Sequence, residues 1–371
     1  MREFRSICVA TTAGAVLALA SCGGGGSGGS SGMGMGTASY VATNLVSNVN
    51  SSSNPYSSAN VDPHLVNAWG IAFNPQAFVW VADNGTSNAT LYNGAGVPQA
   101  LVVAIPPGAA GPANPTGIVF NDTTAFRVTK GAASGASAFV FVGEAGTVSG
   151  WSPDVDLNNA VLVVDGAAQG KVYKALAIAS DAGAPRLYAA DFHNGVVDVF
   201  DADFAPVVRN GAFTDSSLPP GYAPFGLQAI GGQIYVAFAK QDAQAHDEVA
   251  GAGLGAVDVF DPAGNLVKRL ITVGGTLDAP WGMALAPADF GPFSNALLVG
   301  NFGDGRIHAF DATTGAPLGA IADAAGTPIA IDGLWGIAFG NGLNGQPANT
   351  LFYAAGPADE SNGVYGRIDV R

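Results

Sequence analysis

From residue 40 onward, short apolar runs recur along the chain, each bounded by Gly, Pro, Asn or Asp. Runs of this length, rich in β-branched and aromatic residues, predict strands. Six of them open on a shared plan: Trp69-Gly70-Ile71-Ala72-Phe73, Thr116-Gly117-Ile118-Val119-Phe120, Ala175-Leu176-Ala177-Ile178, Phe225-Gly226-Leu227, Trp281-Gly282-Met283-Ala284-Leu285 and Trp335-Gly336-Ile337-Ala338-Phe339. Counted at positions 70, 117, 176, 226, 282 and 336, they repeat every 47 to 59 residues. Second strands are predicted at 78–82, 138–143, 186–190, 233–238, 296–300 and 350–355. Third strands include Val196–Asp201, Ala256–Asp261 and Arg306–Asp311, and fourth strands fit 101–105, 161–164, 266–271 and 317–321. No window shows a 3.6-residue period of similar strength. Units of four short strands, repeated six times, predict an all-β fold, a six-bladed β-propeller with four strands per blade.

The repeats do not close by themselves. The last unit reaches Arg371 after its third strand, while Tyr40–Ser47 is a strand-like run with no partner of its own. Placing that run as the outer strand of the last blade completes the blade and removes an open sheet edge. The expectation is a single domain over residues 40–371, closed by its N-terminal strand.

Upstream, a short basic start is followed by an apolar stretch from Ile7 to Ala20, the pattern of a secretory signal over residues 1–21. Leu19-Ala20-Ser21-Cys22 is similar to a bacterial lipobox, making Cys22 the candidate lipidation site. Residues 22–39, mostly Gly and Ser, read as a flexible tether. The expected location is the cell envelope: an outer-membrane-anchored lipoprotein, or a secreted protein if Cys22 carries no lipid. The only other cysteine, Cys8, lies in the signal, so a disulfide or thiolate metal site in the domain is excluded.

Composition narrows the partners. Charged residues are 11% of the chain and the formal net charge is −14, with 14 Lys and Arg against 28 Asp and Glu. A nucleic-acid binder needs a basic stripe, so that class is excluded. Membrane contact is expected through the lipid alone, the domain is expected to be monomeric, and its partner is a small molecule or an envelope protein.

The plan of Gly entry, apolar strand, polar turn and Val-x-Val-Phe-Asp resembles NHL-type six-bladed propellers. Thr43–Ser47 followed by Asp62-Pro63-His64-Leu65-Val66-Asn67-Ala68-Trp69-Gly70 resembles an uncharacterised family of exported bacterial propeller proteins. Propellers of the NHL and gluconolactonase kinds include ligand-binding modules and calcium-dependent lactonases. The resemblance therefore implies a fold, with function left to the site. It also implies that entry loops and the connections between second and third strands share one face around the central channel.

On that face the ligand-binding candidates are His64, Asn67, Trp69, Asp191, His193, Lys240, Trp281 and Trp335, polar groups among aromatics as a ligand site requires. Each has a structural alternative. The Trp-Gly pairs suit packing between blades, Asp191 suits an Asx turn, and His64 suits a pair with Asp62. His193, in the most polar connection, is the candidate for proton transfer. Ca2+ is the cofactor to consider because it takes hard oxygen ligands. By resemblance to the lactonases its candidate ligands are Asp83, Glu144, Asn194 and Asn301. Within residues 40–371 neither a Gly-x-Ser-x-Gly elbow nor a His-Glu-x-x-His motif occurs. The reading is a binding or interaction module, with a calcium-dependent hydrolase or lactonase at the channel mouth as the alternative.

Overall fold

The computed structural model describes residues 38–51 and 53–371. The signal, Cys22 and all of the tether except its last two residues lie outside them. The described chain is all-β apart from three single-turn 3-10 segments, and its strands form six radial sheets. First strands, at Ala68–Phe73, Pro115–Phe120, Tyr173–Asp181, Tyr222–Ile230, Pro280–Leu285 and Leu334–Phe339, line the axis and pack against one another in turn around it. Each pairs antiparallel with its second strand, and that with the third.

Burial follows from this stacking. Second strands such as Val79–Asp83 and Leu297–Asn301 are covered on both faces by neighbouring blades and are buried throughout. Outer strands such as Pro317–Ala320 face solvent. Between blades the core is aromatic. Trp80, Phe139 and Trp151 pack at one junction, and Tyr92, Phe352 and Tyr365 at another.

Closure occurs as expected. Tyr40–Ser47 pairs antiparallel with Val364–Val370, from Tyr40 opposite Val370 to Ser47 opposite Val364, with a bulge between Asn44 and Val46. Two side chains hold the zipper. The Tyr40 hydroxyl donates to the Phe290 carbonyl at 2.9 Å in the preceding blade, and the Tyr353 hydroxyl donates to Asn44 Oδ1 at 2.5 Å. Asn60–Val61 adds a short parallel strand outside it.

Three details depart from the sequence expectation. Blade three has three strands (Tyr173–Asp181, Ala184–Asp191, Val196–Phe200). Its fourth position holds only a bridge between Phe200 and Pro206, because proline offers no amide to a ladder. Blade two carries an extra hairpin, Arg127–Lys130 with Ala133–Ala136. The third repeat is also shifted by one. Ladder register sets Ala175 opposite Ala190, as Gly117 is set opposite Val142, so Ala175 rather than Leu176 occupies the glycine position.

Candidate functional site

That one-residue correction identifies the hub. The residue before each small position is, blade by blade, Trp69, Thr116, Lys174, Phe225, Trp281 and Trp335. The small residue is needed because the next blade's backbone comes close: a Cβ on Gly70 would stand 2.6 Å from the Thr116 carbonyl oxygen.

The hub is divided by polarity. Trp69 and Trp335 stack with centroids 3.4 Å apart, Trp281 meets both edge-on, and Phe302 stacks on Trp335 at 4.1 Å. The indoles thus pack on one another, the structural role considered for them. Trp281 Nε1 donates to the Lys174 carbonyl at 2.9 Å, while the buried Nε1 atoms of Trp69 and Trp335 have no partner.

The polar half centres on Lys174, whose side chain is 1% exposed. Its ammonium lies 2.6 Å from Glu144 Oε1, 3.0 Å from Asp247 Oδ1 and 5.4 Å from the Trp69 ring centre. Burial alone would lower the lysine pKa, but Glu144, Glu248 and Asp247 outweigh it and hold the group above its ordinary range. Burial pushes the Glu248 carboxyl up to about 7 against the pull of Lys174. Glu360 is raised by burial and then by Glu144. Asp247 is held low by Lys174 although burial opposes it. One ammonium therefore faces four carboxyl groups.

Three loops bring them there. Glu144 follows the second strand of blade two, and Asp247 and Glu248 ride on the 241–254 insertion of blade four. Glu360 sits at the end of a left-handed turn, with φ of 56°, 51° and 61° at Ala358, Asp359 and Glu360. Such angles cost side-chain-bearing residues free energy and persist only where surroundings impose them. Behind Glu144, Asn84 Nδ2 donates to Oε2 at 2.9 Å and Asn67 Nδ2 donates to Asn84 Oδ1 at 3.1 Å.

Beside this cluster lies a groove of about 540 Å³, walled by Asn114, Glu144, Lys171, His193, Gln244 and His246 against an apolar side that includes Ala145 and Val172. His193 Nδ1 is 3.3 Å from the Ala245 carbonyl and His246 Nδ1 is 2.9 Å from Asp247 Oδ1. As donors there, both rings keep Nε2 unprotonated when neutral.

The sequence candidates divide accordingly. Asn67, Trp69, Trp281, Trp335 and Glu144 meet at the hub, and His193 lines the groove. His64 pairs with Asp62 at 3.0 Å. The Lys240 ammonium lies 5.8 Å from the Tyr222 ring centre. Asp191 is buried and accepts from the Val172 amide, Asn194 Nδ2 and Lys171. Of the four oxygen ligands considered for Ca2+, only Glu144 takes part in the Lys174 cluster. Asp83 is fully buried, raised by that burial, and accepts from Thr90. Asn194 is bonded to Asp191 and Gln169, and Asn301 to Thr276 and Asp304. Lys174, Asp247, Glu248 and His246 were missed as site residues. With Ala175 at the glycine position, Lys174 stands where three other blades carry a tryptophan.

No protein-family model matches the chain. It is 34% identical over 319 residues to "Uncharacterized protein R648" of Acanthamoeba polyphaga mimivirus, covering 84% of this chain and 76% of that one. It is likewise 34% identical over 321 residues to "Uncharacterized protein L690" of the same virus, covering 84% and 82%. Among solved structures, a protein of unknown function from Bacteroides thetaiotaomicron superposes with a TM-score of 0.54 at 13% identity, covering 90% of this chain and 76% of that one. A glucose dehydrogenase superposes with a TM-score of 0.51 at 14% identity, covering 88% and 98%. At such identities the likeness is one of fold.

Proposed function

Since the chain belongs to the family of the mimivirus proteins R648 and L690, whose names assign no activity, we propose from the site itself that the protein is a binding module taking a small polar ligand into the groove beside Lys174. One observation carries the reading. The groove has the volume of a small-ligand pocket, and four polar side chains, Asn114, Glu144, His193 and His246, converge on it across from apolar Ala145 and Val172. The packed indoles give it a rigid foundation, as a preorganised site requires.

The test is a thermal-shift and ligand-observed NMR screen of the full chain with small amines, sugars and carboxylic acids, run in parallel on Gln244→Trp, which fills the groove from an exposed position. Hits should stabilise the wild type and lose their effect in the variant. Equal binding to both proteins would refute the groove. Ester or lactone turnover lost in His193→Ala would replace the module with an enzyme. A calcium-assisted hydrolase is the second reading, favoured by the excess of carboxyl groups around Lys174. Unchanged melting and activity in chelator would remove it.

We also propose that the domain works outside the cytoplasm on a lipid anchor at Cys22. The support is the signal-like start and the Gly/Ser tether that follows. Cys22→Ala should release the protein from the membrane fraction, and equal retention would reject the anchor.

A further inference from the structure

Glu144, His246 and Asp247, we propose, form a binding site for a divalent transition metal, with Zn2+ as its probe, on the inner wall of the groove. Among the described residues they are the group of three His, Cys, Asp or Glu side chains whose ligand atoms all lie within 4.8 Å of one another. An imidazole nitrogen with two carboxylates is a donor set for zinc or manganese. Calcium instead takes six to eight oxygens. Three protein donors beside open space are the pattern of a site that keeps a coordination position for an exchangeable ligand. Here the open side is the groove, which Glu144 and His246 line.

Two further observations support the site. Glu144 is oriented from behind by Asn84, which Asn67 orients in turn, the outer support that metal ligands need. Charge points the same way, since Glu144, Asp247, Glu248 and Glu360 face the single ammonium of Lys174. Lys174 touches the same oxygens as the proposed ion and so competes with it. The site goes beyond the ligand reading, because it makes the metal, rather than side chains alone, the group that meets whatever enters the groove.

The experiment uses the tag-free full chain, stripped with chelator. Zn2+ is titrated by calorimetry, with Ca2+ as the comparison, and Co2+ is followed by its visible d–d absorption. The expected result is one Zn2+ per chain, bound at least about tenfold more tightly than Ca2+. His246→Ala and Glu144→Gln should each weaken Zn2+ at least about tenfold, as losing a ligand or its support does. His246→Ala should also abolish the Co2+ spectrum while its far-UV spectrum and melting stay those of the wild type. Lys174→Met should bind Zn2+ more tightly. Absence of stoichiometric Zn2+ binding, preference for Ca2+, or undiminished binding in His246→Ala would overturn the site. Groove ligands found with the stripped protein would survive that outcome, so the two proposals fail separately.

Discussion

Replacing Lys174 with Met keeps the length of the side chain and removes its charge. The ammonium is enclosed, yet its two bonded carboxylates differ: the Glu144 side chain is 18% exposed and the Asp247 side chain 62%. Breaking a fully buried pair costs about 3–5 kcal/mol, whereas an exposed carboxylate is largely screened by water. Glu144 keeps its bond from Asn84, so the loss should come mainly from one uncompensated, mostly buried charge, about 2–3 kcal/mol. With an unfolding entropy of roughly 2 cal/mol/K per residue, that lowers Tm by about 3–5 °C in a domain of this size. Adding Glu144→Gln should recover about 1–2 kcal/mol, the coupling expected of residues in direct contact. The deficit should also depend on pH. Without the ammonium Asp247 and Glu248 take up protons more readily, so Lys174→Met should approach the wild type towards pH 4 and differ most at pH 8. Urea melts of the four proteins of this cycle at both pH values test the argument. A Lys174→Met protein as stable as the wild type at pH 8, or a coupling of zero, would show that Lys174 is an incidental cation.

Two other outcomes follow from the fold. Asp258 is 1% exposed in the third strand of blade four, and burial, then neighbouring Asp215, push it up to about 7. A raised acid stabilises fully below its unfolded value near 3.8, and that stability is lost as pH rises through 7. Asp258→Asn should therefore match the wild type near pH 4 and exceed it by about 2–4 kcal/mol at pH 8, and parallel stability curves in denaturant melts would refute this. Deleting residues 1–47 removes the closing strand and bares the edge of Val364–Val370. The product should be aggregated or unfolded by gel filtration and circular dichroism, and a folded monomer would contradict closure as the source of stability.

Periodicity carried much of this protein. The entries at Trp69, Thr116, Phe225, Trp281 and Trp335 repeat with a glycine after each, and with the Ala175–Ile178 entry between the second and the fourth they set six blades. The unpaired run at Tyr40 and the missing strand at Arg371 together imply the closure, since a sheet edge without a partner has unpaired backbone groups. The turns after the third strands are local for a similar reason. Asp201, Asp261 and Asp311 accept backbone amides within four residues, and such local bonds need no distant part of the chain.

The site was legible only in part. Glu144 and His193 could be named because they lie next to recognisable strand ends. Lys174 could not, because Ala175 replaces the glycine that marks every other entry, and a lysine at a strand entry reads as solvated. His246, Asp247 and Glu248 lie in an insertion whose path no repeat describes. A repeat fixes what is next to what along the sheet, through contacts between neighbouring units. The hub gathers charged residues from blades two, three, four and six, between 30 and more than 100 residues apart in sequence. Which charges meet there is decided by the closure of the ring, which no single unit encodes.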